Sequence, residues 1–442
     1  MTGLPAPLSG DTPLDARMID LRLTARSPEA HILVDRVLES VETHEVNAGL
    51  RQRARTQRAS AALKIALAGI LASTALSIDD GHEGRVFKSM NETTWKKSEP
   101  VGYDTMQAAL RGLEGANLIT IHKASCFYPS TYSGKAARRA PTGAMLAMLD
   151  AAGITASTAR QHFAVPPPQD VVIVRGAAIR QYGKKAQGEI LHCPDTAQAR
   201  KIAAEVIKIN EYLSKHEIRG GNHDGYYRSF NNGDSPAFSF NYGGRLYSAG
   251  NNSYQRLSGH GRLKMTIDGA QVCEVDIKAC QLSLLHAVAH PYRQLPNDLY
   301  EVDGIPRPIV KQWVTATLGQ KKLPAKWPRG TASKVSDLKR YPVKTVTAAM
   351  TTRYPFLNRL ADFNLGTLEL TALESDIIVA TLLRLQDDFN VPALAMHDGI
   401  ITKVSHQEAA QRVLAEEFRA RMRVKPLLTV DQNTSDLGSY PT

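Results

Sequence analysis

The stretch that most constrains this chain is Val272–His286, VCEVDIKACQLSLLH. Val272, Cys273 and Val275 favour an extended strand, which delivers one carboxylate, Asp276, to its end. An amphipathic helix is expected at once. A second stretch, Ala393–Val404 (ALAMHDGIITKV), sets Asp398 in a tight turn between two apolar runs, a hairpin pattern with strands over 393–396 and 400–404. The two aspartates meet only if all three strands share one sheet. Either alone reads as an ordinary strand-end residue. Together they suit a divalent metal, since magnesium keeps several waters and needs only one or two protein carboxylates beside substrate phosphates. Carboxylate-held ions can activate a hydroxyl and stabilise a leaving pyrophosphate, the chemistry of nucleotidyl transfer.

The charge pattern points to a polyanionic partner. The 442 residues, enough for two or three domains, carry a formal net charge of +11. Between Glu45 and Asp79 no acid occurs, yet Arg51, Arg53, Arg55, Arg58 and Lys64 do, and Arg51, Arg55 and Arg58 would share one helical face. A second basic run over 320–344 includes Lys321 and Lys322 against the single acid Asp337. Each run alone is a solvated face; two on a basic chain read as phosphate contacts. No apolar run reaches the roughly 18–20 residues of a membrane span, and Ala61–Leu76 reads as a buried helix. The N-terminus has no secretory pattern. Cys126, Cys193, Cys273 and Cys280 are scattered, which fits a reducing cytoplasm better than a disulfide framework or zinc ribbon.

Along the chain, residues 1–15 read as a loose tail and 16–59 as a basic helical region. Residues 60–165 follow the order helix, turn, helix, short strand, basic hairpin. In Gly102–Lys123, Met106, Leu110 and Leu113 keep helical spacing and LITI is a strand, with Lys135, Arg138 and Arg139 beyond it. This pattern resembles a winged helix, and its basic hairpin implies DNA contact. Pro166-Pro167-Pro168 is the clearest linker. Helix 195–215 has one apolar face. Residues 217–262 combine glycines and asparagines with Tyr226, Tyr227, Phe230, Tyr247 and Tyr254 among Arg228, Arg245, Arg256 and Arg262. That mixture fits either a surface for nucleobases and phosphates or ordinary hairpin packing. His223 and His260 lie in Gly-rich loops as possible phosphate contacts. His286 and His290, one turn apart, lack a third zinc ligand and read as core or cap residues. Glu374 and Asp376 read as a solvated helix face or a salt bridge.

From Gly243 to Val404 the residues resemble the polymerase domain of A-family DNA polymerases, the bacterial DNA polymerase I type, with the motifs in the family's order. GGRLYS (Gly243–Ser248) is similar to TGRLSS, which implies that Arg245 approaches the primer–template minor groove. Gly261-Arg262-Leu263 resembles the family's segment before the palm. VDIKACQL resembles motif A and makes Asp276 a metal ligand. Asp298-Leu299-Tyr300, followed by RPIVKQWVTATLG (Arg307–Gly319), resembles the fingers helix, with Arg307 and Lys311 toward the triphosphate. TALESDIIVATLLRL (Thr371–Leu385) resembles the helix before motif C. MHDGIIT resembles motif C, with His397 near the primer end and Asp398 the second metal ligand.

The resemblance implies an α+β chain: a helical, winged-helix-like N-terminal region (1–59 and 60–165), then a right-hand polymerase domain over 166–442 with an antiparallel palm sheet (238–290, 370–442), a thumb-like helix (195–215) and short helical fingers (296–365). It implies a pair of magnesium ions, with manganese as a substitute, and DNA template, primer and nucleoside triphosphates as partners, possible replication proteins besides. The departures bear on chemistry. Gln281 stands where the DNA polymerases carry a glutamate that excludes a ribose 2′-hydroxyl; the bulk stays and the charge goes. Thr315 and Gly319 replace motif B aromatics, leaving Tyr300 and Thr315 to face the substrate. Gly399 replaces the third acid of motif C, and Glu274, on the face of Asp276, is a spare carboxylate. No proofreading carboxylates precede residue 166. The expectation is a small DNA polymerase without proofreading, with primase activity as a sub-reading, in mobile-element or plasmid replication. The alternatives are a single-subunit RNA polymerase or primase, and a non-catalytic DNA-binding initiator.

Overall fold

The computed structural model describes residues 15–92, 95, 99–122, 125–128, 133–181, 184–250, 253–331 and 338–433. The chain is a mixed α+β protein in two compact units, Met1–Pro166 and Pro167–Thr442.

In the first unit, α1 (Pro28–Asn47) starts on a Ser27 cap that accepts from the Ala30 N–H at 3.1 Å, with proline in its first turn. The apolar α2 (Gln57–Asp79) buries Leu63, Leu67, Ile70 and Leu71. It is the one described helix long and apolar enough to cross a membrane, and most of that stretch is buried within the unit. The third helix, α3 (Tyr103–Gly115), lies so close to α1 that a Cβ at Gly112 would meet Val41 Cγ1 at 2.3 Å. Short strands β1 (Arg17–Met18), β2 (Val86–Phe87), β3 (Ile119–His122) and β4 (Arg138–Pro141) form a sheet in the order β1-β2-β4-β3, and α4 (Gly143–Ala151) follows. β3 and β4 pair antiparallel, with a second ladder between 125–128 and 133–135.

One core runs from Ile19 through α1, α2 and α3 to Phe163. A boundary at 59/60 therefore falls inside α2. Nor do Arg51, Arg55 and Arg58 share a helical face, because α1 ends at Asn47 and α2 begins at Gln57. The loop form has a local cause: Arg55 turns inward, with 5% of its side chain exposed, to pair with Glu45 at 2.6 Å and Glu42 at 3.4 Å. Arg51 pairs with the same Glu45 at 2.8 Å.

The second unit has two sheets. The smaller runs β6 (Ile190–Leu191), β5 (Val172–Arg175), β7 (Tyr226–Phe230), β8 (Gly243–Ser248), and the long α5 (Ala197–Leu213) packs on it. The larger is organised around β10 (Ala270–Ile277), which carries β12 (Gly399–Lys403) and then β11 (Ala393–Met396) on one side. On the other side it pairs β13 (Leu428–Gln432) and β9 (Thr266–Ile267), with 218–219 at the edge. Its pairs run antiparallel. Besides α5, the longer helices described in the unit are α6 (Cys280–Ala289), α7 (Arg307–Gln320), α8 (Val343–Arg353), α9 (Thr367–Phe389) and α10 (Gln407–Met422). Trp313 of α7 is fully buried.

Candidate functional site

The register of the larger sheet brings the two aspartates together. Asp276 pairs across the ladder with Gly399, and the Ile277 N–H donates to the Asp398 carbonyl at 3.0 Å. Both residues thus lie at the same end of neighbouring strands. Gly399 leaves room for them: a Cβ there would stand 1.9 Å from Asp276 Oδ1. A side chain at that position would collide with the Asp276 carboxylate.

Burial pushes the Asp276 carboxyl up to about 7, with Glu274, Asp398 and Asp431 adding to the effect and Arg262 opposing it. Glu274 is not a spare ligand. It is buried and takes a two-pronged ion pair from Arg262, at 3.0 Å and 2.8 Å. Arg262 is thereby spent on Glu274, and the negative field at Asp276 stays in excess. Asp431, on β13 opposite Glu274, adds to that field; its sequence context, LLTVDQ, carries no motif that would have singled it out.

Arg245 reaches α9 rather than standing free. It donates to Glu374 at 2.6 Å, and Glu374 is 1% exposed in its side chain. Burial raises the Glu374 carboxyl, and Arg245 pulls it partly back. Arg228, also buried, binds Asp376 at 2.7 Å and Ser375 at 3.2 Å. Of the two readings of Glu374 and Asp376, the salt bridge holds, though to β7 and β8 rather than to the expected fingers, and the two pairs anchor α9 to those strands.

His397 adopts a left-handed backbone (φ 31°) in the turn before Asp398. Its Nδ1 is buried without a hydrogen-bond partner. Burial and then Arg245 lower its pKa, so the ring is neutral near pH 7. An orphaned polar atom beside a carboxylate pair is what a site awaiting a polar ligand presents.

Tyr300 links the aspartates to α7. Burial, then Asp398 and Cys280, push its phenol up to about 12, so it keeps its proton. The Arg307 guanidinium stacks over its ring at 5.0 Å. Arg307, Lys311 and Thr315 are exposed on one face of α7, while Ile309, Val310, Trp313 and Val314 face the core. Arg307 is already paired, with Asp298, which Lys278 also approaches at 3.4 Å. The Thr315 hydroxyl donates to the Lys311 carbonyl at 2.9 Å. Gln281, in the first turn of α6, donates from Nε2 to Thr371 Oγ1 of α9 at 3.3 Å.

Several expected nucleic-acid contacts are absorbed by structure. Lys321 caps the end of α7 in the left-handed region and pairs with Glu369; Lys322 is exposed. Arg139 is buried, and desolvation lowers its pKa. Arg138 lies over the Phe87 ring at 4.7 Å. The Lys135 side chain lies outside the described residues. Tyr226, Phe230 and Tyr254 are core residues. His223 packs on Tyr226 and is pushed down to about 3 by burial, a neutral ring unsuited to holding phosphate. His286 is buried in an aromatic cluster with Tyr354 and Phe356.

Among the described residues no group of three or more His, Cys, Asp or Glu is gathered as a metal cage. The Asp276–Asp398 pair is a different kind of site, two hard oxygen donors without a cation of their own. That donor set, with the pressure on Asp276 to stay protonated, fits magnesium with waters and substrate oxygens completing the shell. No family model matches the chain, and no curated protein is significantly similar to it.

Proposed function

We propose that the chain is a template-directed nucleotidyltransferase, a small DNA polymerase resembling the A family. The observation that carries the reading is the register of β10 against β12, which sets Asp276 beside Asp398. In this reading the larger sheet is the palm, α7 the fingers helix and α5 the thumb-like helix. Asp276 and Asp398 hold magnesium or manganese. The bound metal supplies the Lewis acid for charge developing on the phosphoryl oxygens. Arg307 and Lys311, one turn apart on the exposed face of α7, bind the triphosphate, Arg307 after leaving Asp298. Tyr300 keeps Arg307 in place and offers an O–H donor next to Asp398. Gln281, braced by Thr371, stands against the sugar of the incoming nucleotide, and its bulk favours dNTPs. Neutral His397 offers Nδ1 to a polar group at the primer end. The first unit, whose β2, β4, β3 order and hairpin fit a winged helix, supplies DNA binding. An intracellular replication setting follows from the same reading.

The test is incorporation of labelled dNTPs or NTPs on primed and unprimed templates, with magnesium or manganese. The expected outcome is dNTP incorporation, lost by roughly 1,000-fold or more in Asp276→Asn and in Asp398→Asn, the scale of removing a charge-stabilising group. Incorporation in no arm, or survival in both variants, sinks the reading. A non-catalytic DNA-binding initiator is the second reading. It is favoured by the exposed face of α7, which presents Arg307, Lys311 and Thr315 but no aromatic for a nascent base pair. It expects DNA binding unchanged in both variants and no incorporation by the parent.

A further inference from the structure

The ladder between β7 and β8 has a face that the catalytic reading does not use. Tyr227 pairs across the strands with Tyr247, and Ser229 with Arg245. Strand alternation puts these four on one face. Tyr226, Arg228, Phe230, Leu246 and Ser248 point the other way, and all are buried. The two outward tyrosines stack on each other, with ring centroids 5.8 Å apart and planes 27° apart. Tyr247 is 36% exposed. The stack is open to solvent at Tyr247 and half-buried at Tyr227, and each ring is an apolar, π-rich plate of the kind a nucleobase stacks on.

Arg245 connects this face to the aspartate pair. Arg245, ion-paired with Glu374, feels the charge of both Glu374 and Asp398. Its charge also acts on the Tyr247 phenol. Arg175, two residues beyond Ile173 on the neighbouring β5, ends that strand. A stacking plate beside cationic side chains has the chemistry of a site for a single-stranded nucleic acid, where aromatic rings hold bases and cations track phosphates.

We infer that Tyr227 and Tyr247 form a stacking platform for an unpaired base of single-stranded DNA next to the Asp276–Asp398 site. The choice of DNA rests on the polymerase reading; the stacking itself does not. The occupant is the unpaired strand that such an enzyme meets beyond the primer terminus.

The experiment is fluorescence anisotropy of a labelled oligo-dT of about 12 nucleotides, within the usual site sizes for such surfaces. It uses the full chain in EDTA, with a blunt duplex of equal length as the comparison. The expected result is roughly 10-fold weaker single-strand binding for Tyr247→Ala and about 100-fold for Tyr227→Ala with Tyr247→Ala, by the usual worth of a base–aromatic stack. Duplex binding stays within about 2-fold. The double Phe variant keeps both ring faces and binds as the parent, which separates stacking from misfolding. Parent-like binding by the double Ala variant overturns the platform, as does equal loss for single strand and duplex, or equal loss in the double Phe variant. Because no metal is present, the result is independent of catalysis. Tyrosine-dependent binding without any nucleotide incorporation leaves the platform standing and the polymerase reading fallen. Incorporation with tyrosine-independent binding does the reverse.

Discussion

At the scale of single residues, Asp276 and Gly399 carry the sharpest expectations. Burial and its acidic neighbours raise Asp276 to about 7, above the roughly 3.9 of an unfolded aspartate. A carboxyl raised on folding lends its full stability below the unfolded value and loses it as pH climbs through the folded one. In EDTA, Asp276→Asn therefore melts with the parent near pH 4 and about 3–6 °C above it at pH 8. Magnesium at pH 8 raises the parent and leaves the variant unmoved. A pH-independent difference would show that Asp276 is not under this pressure. Gly399→Ala tests the space beside it. Its Cβ would stand 1.9 Å from Asp276 Oδ1, so the strand or the carboxylate must move. The expectation is a loss of about 1–3 kcal/mol in stability, the usual cost of overpacking. Magnesium-induced stabilisation should disappear with it, both read by thermal melts with and without the ion.

At the scale of elements, the strands and helices around the aspartates were legible because their patterns are local. Alternation and β-branched residues mark β10 and β12, and the motif resemblance marks α7 and α9. The duties of the charged residues were not legible. Arg228, Arg245 and Arg262 look like a basic, aromatic-rich surface in sequence. In the fold they are the cationic halves of pairs with Asp376, Glu374 and Glu274. Two of those partners lie more than a hundred residues away, and no periodicity announces a pairing at that range. The tyrosines divide the same way, Tyr226 and Tyr254 inward, Tyr227 and Tyr247 outward, and only the sheet decides which.

Tyr226 and Tyr254 show what the inward pair does for the site. Their hydroxyls lie 2.6 Å apart. The Tyr226 oxygen accepts from the Ala395 N–H at 2.8 Å, and Tyr254 donates to the Ala395 carbonyl. Ala395 belongs to β11, an edge strand whose outer backbone groups would otherwise be unpaired. The tyrosines close that edge three residues before Asp398. Tyr254→Phe leaves buried polar atoms short of a partner and is expected to cost about 1–2 kcal/mol. In an incorporation assay it should lower kcat more than it raises KM, because it loosens the hairpin that presents Asp398 rather than the triphosphate contacts. An unchanged melt and unchanged kcat would count against this role.

At the scale of the whole molecule, the two units have separate cores, one from Ile19 to Phe163, the other built around β10 and its helices. Each unit contains a charged group, buried in the first and half-buried in the second, whose removal reports on that unit alone. In the first it is Arg55 against Glu45, with Arg51 as second partner. Burial alone would raise the Glu45 carboxyl, but the two arginines more than offset it and hold its pKa below the ordinary value. A depressed carboxyl gives stability that is present above the unfolded value and lost as pH falls. Arg55→Ala leaves Glu45 buried with only Arg51, which costs about 3 kcal/mol on the usual scale for a broken buried pair. In calorimetry at pH 7 the melting of the first unit should drop by about 6–12 °C, and the gap between variant and parent should hold down to the ordinary carboxyl range and narrow only as pH falls below it and Glu45 of the folded parent protonates. Asp276→Asn at pH 8 should move only the other transition. If either substitution shifts both transitions together, the units melt as one, and independent cores do not describe how the chain is held.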